Sequence, residues 1–152
     1  MTQEVINFIG LILFLSGFII GLGAVTVIDL LGFLSRKSEY WTEATTRTHK
    51  VTKPLIWLGI FLVLIGGVIF FRNEPLNGIR LYHLLLVIVL VANGSFLSYR
   101  VSPYLLEREK KGESSKLLPK SWQNKIAVSF IISFLGWWSG VLLLVFYLVS
   151  NY

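Results

Sequence analysis

The sequence predicts an all-α integral membrane protein, an antiparallel bundle of four transmembrane helices with both termini outside. Three observations predict this fold. The 152 residues are 55% hydrophobic and only 14% charged, whereas soluble domains are about a quarter charged. The apolar residues are collected into four long segments, and mean hydropathy over the chain is +0.72. Basic residues are concentrated between the first and second segments and between the third and fourth.

The four apolar segments predict one helix each, at about residues 5–34, 54–71, 79–99 and 126–149 of a single domain that covers 1–152. A helix needs about 20 residues to cross roughly 30 Å of hydrocarbon. The first segment is long for one crossing and the second is short, so we expect tilting of the first and a contribution from residues that flank the second.

Two loops are expected between these helices on the same side, at 35–53 and 100–125. Within the first loop, segment 38–53 is a candidate surface helix that leads into the second transmembrane helix. Pro54 suits the first turn of that helix, where its missing N–H has no intrahelical partner to lose. Pro103 follows the third helix, which segment 104–111 is expected to extend beyond the membrane.

Charge in the loops predicts the orientation. Twelve of the 14 basic residues lie in or beside the first and third loops. By the positive-inside rule these loops are cytoplasmic, and we expect them to bind anionic lipid headgroups. Without a folded soluble module, nucleic-acid binding is not expected. The chain has no cysteine, which excludes a disulfide framework, a thiolate metal site and a catalytic thiol.

Small residues recur on every predicted helix and indicate close helix packing. Helices in lipid associate where small residues let their backbones approach. The small residues are Gly10, Gly17, Gly21 and Ala24 on the first helix, Gly59, Gly66 and Gly67 on the second, Gly94 and Ser98 on the third, and Ser129, Ser133, Gly136 and Gly140 on the fourth. They predict a tight bundle, with a homodimer seam along one stripe as the alternative.

Asp29 is a carboxylate near the cytoplasmic end of the first helix, where an ionisable group is costly and needs a partner. On the third helix Asn93 and Arg100 are seven residues apart and share a face. We therefore predict a polar cluster of Asp29, Asn93, Arg100 and Thr26. It is either a structural pair of Asp29 with Arg100, Arg36 or Arg47, or a carboxylate that handles protons or cations.

His49 and His83 are the two histidines and the candidate haem or metal ligands. Helix length places them on the order of 25–30 Å apart, so they cannot bind one iron within a monomer. The pair Trp137 and Trp138 is a candidate for lining a pocket or for stacking on a quinone or porphyrin, with core packing and lipid contact as the alternative.

Three motifs together resemble a known group. They are Gly21-Leu-Gly-Ala-Val-Thr-Val-Ile-Asp29, Asn93-Gly-Ser-Phe-Leu-Ser-Tyr-Arg-Val-Ser-Pro103 and Trp138-Ser139. In these motifs the chain is similar to small four-helix bacterial membrane proteins of unknown function, which distantly resemble the copper-resistance-D type of integral membrane protein. The resemblance implies a multi-pass protein of the bacterial inner membrane, with Asp29 and Asn93 as shared polar positions. For the copper-linked group it also implies haem or metal chemistry.

The sequence therefore favours a non-enzymatic scaffold or binding subunit with a polar cluster near the cytoplasmic end. Its expected partners are lipid, a second copy or another membrane protein. One alternative is a redox protein that binds haem b or a metal ion through His83 or His49. The other is a transporter or channel subunit in which Asp29 titrates.

Overall fold

A computed structural model describes residues 2–151. The α-helices are α1 (Gln3–Leu34), α2 (Glu39–Phe70), α3 (Gly78–Phe96), α4 (Ser102–Lys110) and α5 (Lys120–Asn151), and a π-helical turn over Leu97–Val101 joins α3 to α4. With α3, the π turn and α4 taken as one unit, residues 2–151 contain four helices long and apolar enough to cross a membrane, and no strand. The all-helical fold with four candidate spans is confirmed, and the chain is a multi-pass membrane protein.

The helices extend well beyond the apolar segments, so most of the predicted loops 35–53 and 100–125 is helical. The helix predicted over 38–53 is confirmed and is continuous with the second transmembrane helix, and the predicted extension of the third helix over 104–111 is confirmed as far as Lys110. Only 35–38 and 111–119 connect helices there. The second helix starts at Glu39 rather than near 54, because Ser38 caps it by accepting a hydrogen bond from the Trp41 backbone N–H at 3.5 Å. Hydropathy identifies only the apolar part of a helix. A polar segment that begins at an N-cap can belong to the same helix without contributing to its hydropathy.

The two prolines lie within helical stretches. Pro54 is inside α2, and Pro103 is in the first turn of α4. Proline lacks a backbone N–H, and its ring clashes with the carbonyl of the residue four positions earlier. The π turn Leu97–Val101 lies directly before α4, so the backbone widens where Pro103 would disturb an α-helical ladder. Such π turns are frequent at functional sites.

Glycines bring α1 and α2 into backbone contact. A Cβ added at Gly17 would lie 2.6 Å from the Val63 backbone nitrogen, and one added at Gly59 would lie 2.7 Å from the Gly21 Cα. A Cβ added at Gly10 would lie 2.7 Å from the Phe70 backbone nitrogen. Since real side chains essentially never approach this closely, glycine is required along the seam. The small stripes on these helices are thus used within the chain.

Helix α5 covers this hairpin and also contacts α3. Gly140 accommodates the Phe18 ring of α1, Gly136 accommodates Leu90 of α3, and the Trp137 ring lies against Gly21. With Ser129, Ser133, Gly136 and Gly140 all buried, the α5 stripe also faces neighbours within the chain. The small-residue stripes of α1, α2 and α5 therefore all face neighbours within the chain, and none of the three is exposed as a homodimer seam.

Two hydrophobic clusters form the interior. The larger one includes Phe14, Phe18, Val63, Trp137 and Leu144, and the smaller one is built from Val101, Leu105 and Leu118. Next to the smaller cluster, the buried Arg108 guanidinium donates hydrogen bonds to the backbone carbonyls of Glu113, Lys116 and Leu117 and orders the 111–119 connection.

The two basic segments meet at one end of the molecule. Lys50 of α2 forms an ion pair with Glu109 of α4 at 2.7 Å. Lys53 donates a hydrogen bond to the Ser98 carbonyl at 3.5 Å. We call this part of the chain, residues 35–53 and 100–125, the basic end.

Candidate functional site

Asp29 lies in the last two turns of α1, on the side that faces the interior near the basic end. Its Oδ2 is buried and has no hydrogen-bond partner among residues 2–151. None of the ion pairs in this part of the chain includes Asp29. A buried polar atom without a partner costs about 1–3 kcal/mol, and more when it is charged. The carboxyl group is therefore a candidate for contact with a molecule outside the chain.

His49 occupies a comparable position on α2. Its Nε2 is buried and also lacks a partner in the chain. Across residues 2–151, Asp29 Oδ2 and His49 Nε2 are the two buried side-chain polar atoms in this condition. They come from different helices and line the same cavity. Native proteins leave few such atoms, so two that share one cavity point to a ligand site.

The cavity lies between the helices at the basic end and has a volume of about 290 Å³. We call it the Asp29–His49 cavity. Every helix contributes to its wall, and so do the π turn and the connection before α5. Its polar lining consists of Asp29, Ser35, Arg36, Thr42, Thr45, Thr46, His49, Lys53, Trp57, Ser98, Gln123 and Ser129, and the remaining lining residues are apolar or glycine.

The π turn forms part of this wall and is held there by α2. The Trp57 indole N–H donates to the Ser98 hydroxyl at 3.0 Å. The Lys53 ammonium donates to the carbonyl of the same serine. Leu97, Ser98 and Val101 all line the cavity, so the widened turn is part of the site itself.

The cavity is lined by charged side chains of both signs. The carboxyl group of Asp29 comes from α1. Lys53 follows His49 by one helical turn on α2, which places an ammonium and an imidazole on one face. Arg36 adds a third basic group from the connection after α1, where it is exposed. We call Asp29 the acidic pole of the lining, and His49 with Lys53 its basic pole.

The cavity reaches the outer surface of the bundle between α1 and α5. Phe33 and Ile131 both line it, and both are more than half exposed. Toward the other end of the molecule, Phe18 and Gly21 close the α1–α5 gap against Gly140 and Trp137. Exposed apolar residues of α1 and α5 therefore form one side of the cavity.

The predicted polar cluster of Asp29, Asn93, Arg100 and Thr26 is not brought together. Asn93 instead binds α5: its amide donates to the Ser129 carbonyl at 3.0 Å and to the Ser133 hydroxyl at 2.8 Å. The Ser129 hydroxyl returns a hydrogen bond to the Asn93 side-chain oxygen at 2.7 Å. Asn93 thus links α3 to α5 through these hydrogen bonds.

The other two members of that cluster have local reasons to lie elsewhere. Arg100 is exposed on the π turn, because the widened turn changes the face on which each following side chain emerges. The Thr26 hydroxyl donates to the Leu22 carbonyl of its own helix at 2.7 Å. Arg47 pairs with Glu43 at 2.6 Å. A structural pair between Asp29 and any of the three predicted arginines does not form.

His83 lies outside the cavity and holds α3 to α5. It is 5% exposed, and its Nδ1 and Nε2 lie 3.0 and 3.1 Å from the carbonyls of Ile79 and Gly140. The rings of Phe14 and Phe71 pack around it at centroid distances of 5.4 and 5.5 Å. Its ring nitrogens therefore already face backbone acceptors.

The remaining predicted ligand and pocket residues do not form a second site. Trp137 is 1% exposed in the main core and Trp138 is exposed, and neither lines the Asp29–His49 cavity. Within the described part of the chain, no three His, Asp or Glu side chains are grouped as metal ligands.

Sequence reasoning missed Lys53, Trp57 and Ser98 as residues around the site. Lys53 lies just before residue 54, which was predicted as the start of the second transmembrane helix, and Trp57 lies just after it. If residues 46–57 had been treated as one continuous helix, the four-residue spacing of His49, Lys53 and Trp57 would have placed them on one face. Ser98 was identified only as a small packing residue.

Comparisons with protein-family models, with curated proteins and with solved structures found no match.

Proposed function

We propose that this protein is a non-enzymatic binding subunit of the bacterial inner membrane, and that its ligand occupies the Asp29–His49 cavity. The observation that carries the proposal is the coincidence of two buried polar atoms without partners in one cavity. A purely structural scaffold gains nothing from leaving both unsatisfied, because each costs free energy. A ligand that offers hydrogen bonds to both removes that cost.

The proposed orientation follows from charge. The four helices run antiparallel, the basic end faces the cytoplasm, and both termini lie outside. The exposed lysines and arginines of the basic end attract anionic headgroups. A second copy or another membrane protein is a further partner of the subunit, and its contact surface lies outside the α1, α2 and α5 small-residue stripes. In this arrangement the cavity opens toward lipid at the depth of the cytoplasmic interface.

Two glycines on α1 provide a matched test of binding. A Cβ added at Gly32 or at Gly23 would meet no atom within 4 Å, so both positions tolerate a side chain. Gly32 lines the cavity, and Gly23 is exposed outside it. We expect Gly32→Phe to fill the cavity and to remove a molecule that copurifies with the wild-type protein, while Gly23→Phe retains it.

The measurement is native mass spectrometry of both variants and the wild type, gently extracted from a native-like host membrane. A bound species that is present in the wild type and in Gly23→Phe, but reduced about tenfold in Gly32→Phe, supports the proposal. Equal occupancy in Gly32→Phe would place the ligand elsewhere. Absence of any bound species in the wild type would contradict the binding function.

The two alternatives from the sequence stay predictions. A transporter subunit in which Asp29 titrates would use the same buried carboxyl group, with the cavity as part of a path completed by an oligomer. A haem or metal protein of copper-resistance-D type would have to use His49 or His83. A visible spectrum and elemental analysis of the same purified sample test this second alternative.

A further inference from the structure

We propose that the Asp29–His49 cavity binds a phosphoethanolamine headgroup of a membrane lipid, with the ammonium at Asp29 and the phosphate at His49 and Lys53. This inference rests on the proposed binding function and identifies its ligand class. It is argued from the charged side chains of both signs that line the cavity, from the cavity's size and from the exposed apolar residues at its α1–α5 side.

The acidic pole selects the ammonium group. Asp29 Oδ2 is buried with no donor from the chain, and its surroundings on α1 include the apolar Ile28 and the small Gly32. A primary ammonium supplies the opposite charge together with three N–H donors. A quaternary ammonium supplies the charge but no N–H, so it leaves the carboxylate without a hydrogen bond.

The basic pole selects the phosphate. Lys53 presents an ammonium to the cavity from α2, and His49 presents a buried Nε2 one turn earlier on the same helix. A phosphate accepts hydrogen bonds from both, and charge-assisted hydrogen bonds are the strong kind. The Lys53 ammonium also donates a long hydrogen bond of 3.5 Å to the Ser98 carbonyl, which places it beside the π turn in the cavity wall.

Size and access fit the head of a lipid rather than a whole molecule. A cavity of 290 Å³ is at the lower limit of ligand pockets, which range from about 300 to 1,000 Å³. The exposed Phe33 and Ile131 line its opening between α1 and α5. The acyl chains would remain in the bilayer against these apolar side chains while the headgroup enters.

The same charges disfavour other headgroups. A purely anionic head supplies no cation to the Asp29 carboxyl group, although Lys53 and Arg36 would attract its phosphate. A simple organic cation would be repelled by Lys53 and by Arg36, which both line the cavity. A zwitterion whose two charges are linked by a short chain matches both poles at once.

Native mass spectrometry with defined lipids tests the inference on the intact protein. Purified wild type is titrated with phosphatidylethanolamine, its mono-, di- and trimethylated forms, and phosphatidylglycerol of the same acyl chains. We expect affinity to fall stepwise with N-methylation, by about tenfold from the primary to the quaternary amine, as loss of charge-assisted hydrogen bonds predicts. Phosphatidylglycerol, whose head has no ammonium, should bind more weakly than phosphatidylethanolamine.

Variants assign the two poles. Asp29→Asn should abolish the difference between phosphatidylethanolamine and its trimethylated form, while Lys53→Met should weaken both by about tenfold and keep their ratio. Glu39→Gln and Lys37→Met change exposed charges that do not line the cavity and should leave both affinities unchanged. Soluble phosphoethanolamine should compete poorly, because it lacks the chains.

Each other outcome overturns the inference. Equal affinity across the methylation series, preference for phosphatidylglycerol, or an unchanged preference in Asp29→Asn would exclude this headgroup. Soluble phosphoethanolamine that binds as tightly as the lipid would exclude a lipid ligand. A different molecule, such as a quinol, that is lost in Gly32→Phe would overturn the headgroup and leave the proposed binding function standing. Since the methylation series uses the wild type, it decides the question even if a variant fails to fold.

Discussion

At the scale of single residues, Asn93 and Asp29 show two outcomes for a polar side chain in an apolar helix. Asn93 has its amide nitrogen and its side-chain oxygen satisfied by Ser129 and Ser133 of α5. Asp29 keeps a buried oxygen with no partner from the chain. The first group stabilises the fold, and the second is available to a ligand. The hydrogen-bond inventory of each side chain decides its role.

The structural role of Asn93 makes a stability prediction. Asn93→Ala removes three hydrogen bonds and leaves the Ser129 and Ser133 hydroxyls without their partner. Hydrogen bonds between membrane helices are worth about 0.6 kcal/mol each on average, so we expect the three together to lower the unfolding free energy by about 2 kcal/mol, measured by denaturation with SDS in mixed micelles.

The control for this change is Asn151→Ala. Asn151 is exposed, and its amide binds only the Tyr147 carbonyl of its own helix. We expect its replacement to change the unfolding free energy by less than about 0.5 kcal/mol. If Asn93→Ala were as mild as this control, the link between α3 and α5 would not depend on the amide.

At the scale of helices, the α1–α2 hairpin is defined by backbone contact. Gly10 and Gly17 of α1 and Gly59 and Gly66 of α2 leave no room for a Cβ against the partner helix, and Gly59 packs on the backbone of Gly21. In lipid this close approach provides dispersion and packing energy that the hydrophobic effect does not supply. The four-residue connection at 35–38 then fixes which positions of the two helices meet.

A substitution in this seam should separate the helices. A Cβ at Gly66 would overlap the backbone nitrogen of Phe14 and lie 2.7 Å from its Cα. We expect Gly66→Leu to cost about 3 kcal/mol or more, because backbone atoms cannot move aside as side chains do. Size-exclusion chromatography and thermal melting in detergent would show aggregation or a strongly lowered Tm.

Gly23→Leu is the matched change on the lipid-facing side of α1, where an added Cβ meets nothing within 4 Å. We expect it to fold normally, and even to gain slightly from the higher helix propensity of leucine. If Gly66→Leu had the same Tm as Gly23→Leu, the contact between α1 and α2 would tolerate separation of the helices.

The third helical unit shows how an element can form a site. The π turn Leu97–Val101 interrupts the regular α3–α4 ladder immediately before the first turn that contains Pro103. It directs Arg100 to the surface and places Ser98 against Trp57 and Lys53. A regular helix through this segment would keep Asn93 and Arg100 on one face, as the sequence predicted.

At the scale of the whole molecule, helix length and charge together define its place in a membrane. Helices α1, α2 and α5 are 32 residues long, or roughly 48 Å at about 1.5 Å per residue, against a hydrocarbon thickness of roughly 30 Å. Several turns must project beyond the hydrocarbon. Because the charged residues of α2 and α4 are gathered at the basic end, the projecting turns are expected there.

Cysteine labelling tests the proposed orientation, and the chain has no cysteine of its own to remove. We expect Asn73→Cys and Ser150→Cys to react with a membrane-impermeant maleimide in intact cells, since the positive-inside rule places them outside. Glu39→Cys and Leu117→Cys should react only after permeabilisation. All four positions are exposed, and none removes a basic residue. Labelling of Leu117→Cys in intact cells would contradict the proposed orientation and indicate the opposite one.

The sequence by itself determined the all-α class, the four spans and the collection of basic residues in two segments. These properties follow from hydropathy and charge, which act on each segment separately. The small residues on α1, α2 and α5 also indicated packing faces, because close approach in lipid depends on residue size at regular spacing. The helix ends were harder to predict from the sequence, because capping and polar helical segments have little effect on hydropathy.

Only the tertiary structure decided which polar side chains meet. Asp29 and His49 are 20 positions apart on helices joined by a hairpin, and their meeting in one cavity depends on the register set by Gly17, Gly21 and Gly59. Asn93 was grouped with Asp29 because it lies seven residues before Arg100 on one helix face, but its hydrogen bonds go to α5. Spacing along one helix predicts which of its residues share a face. Contact between helices depends on the rotation of each helix about its axis, which packing against all its neighbours fixes.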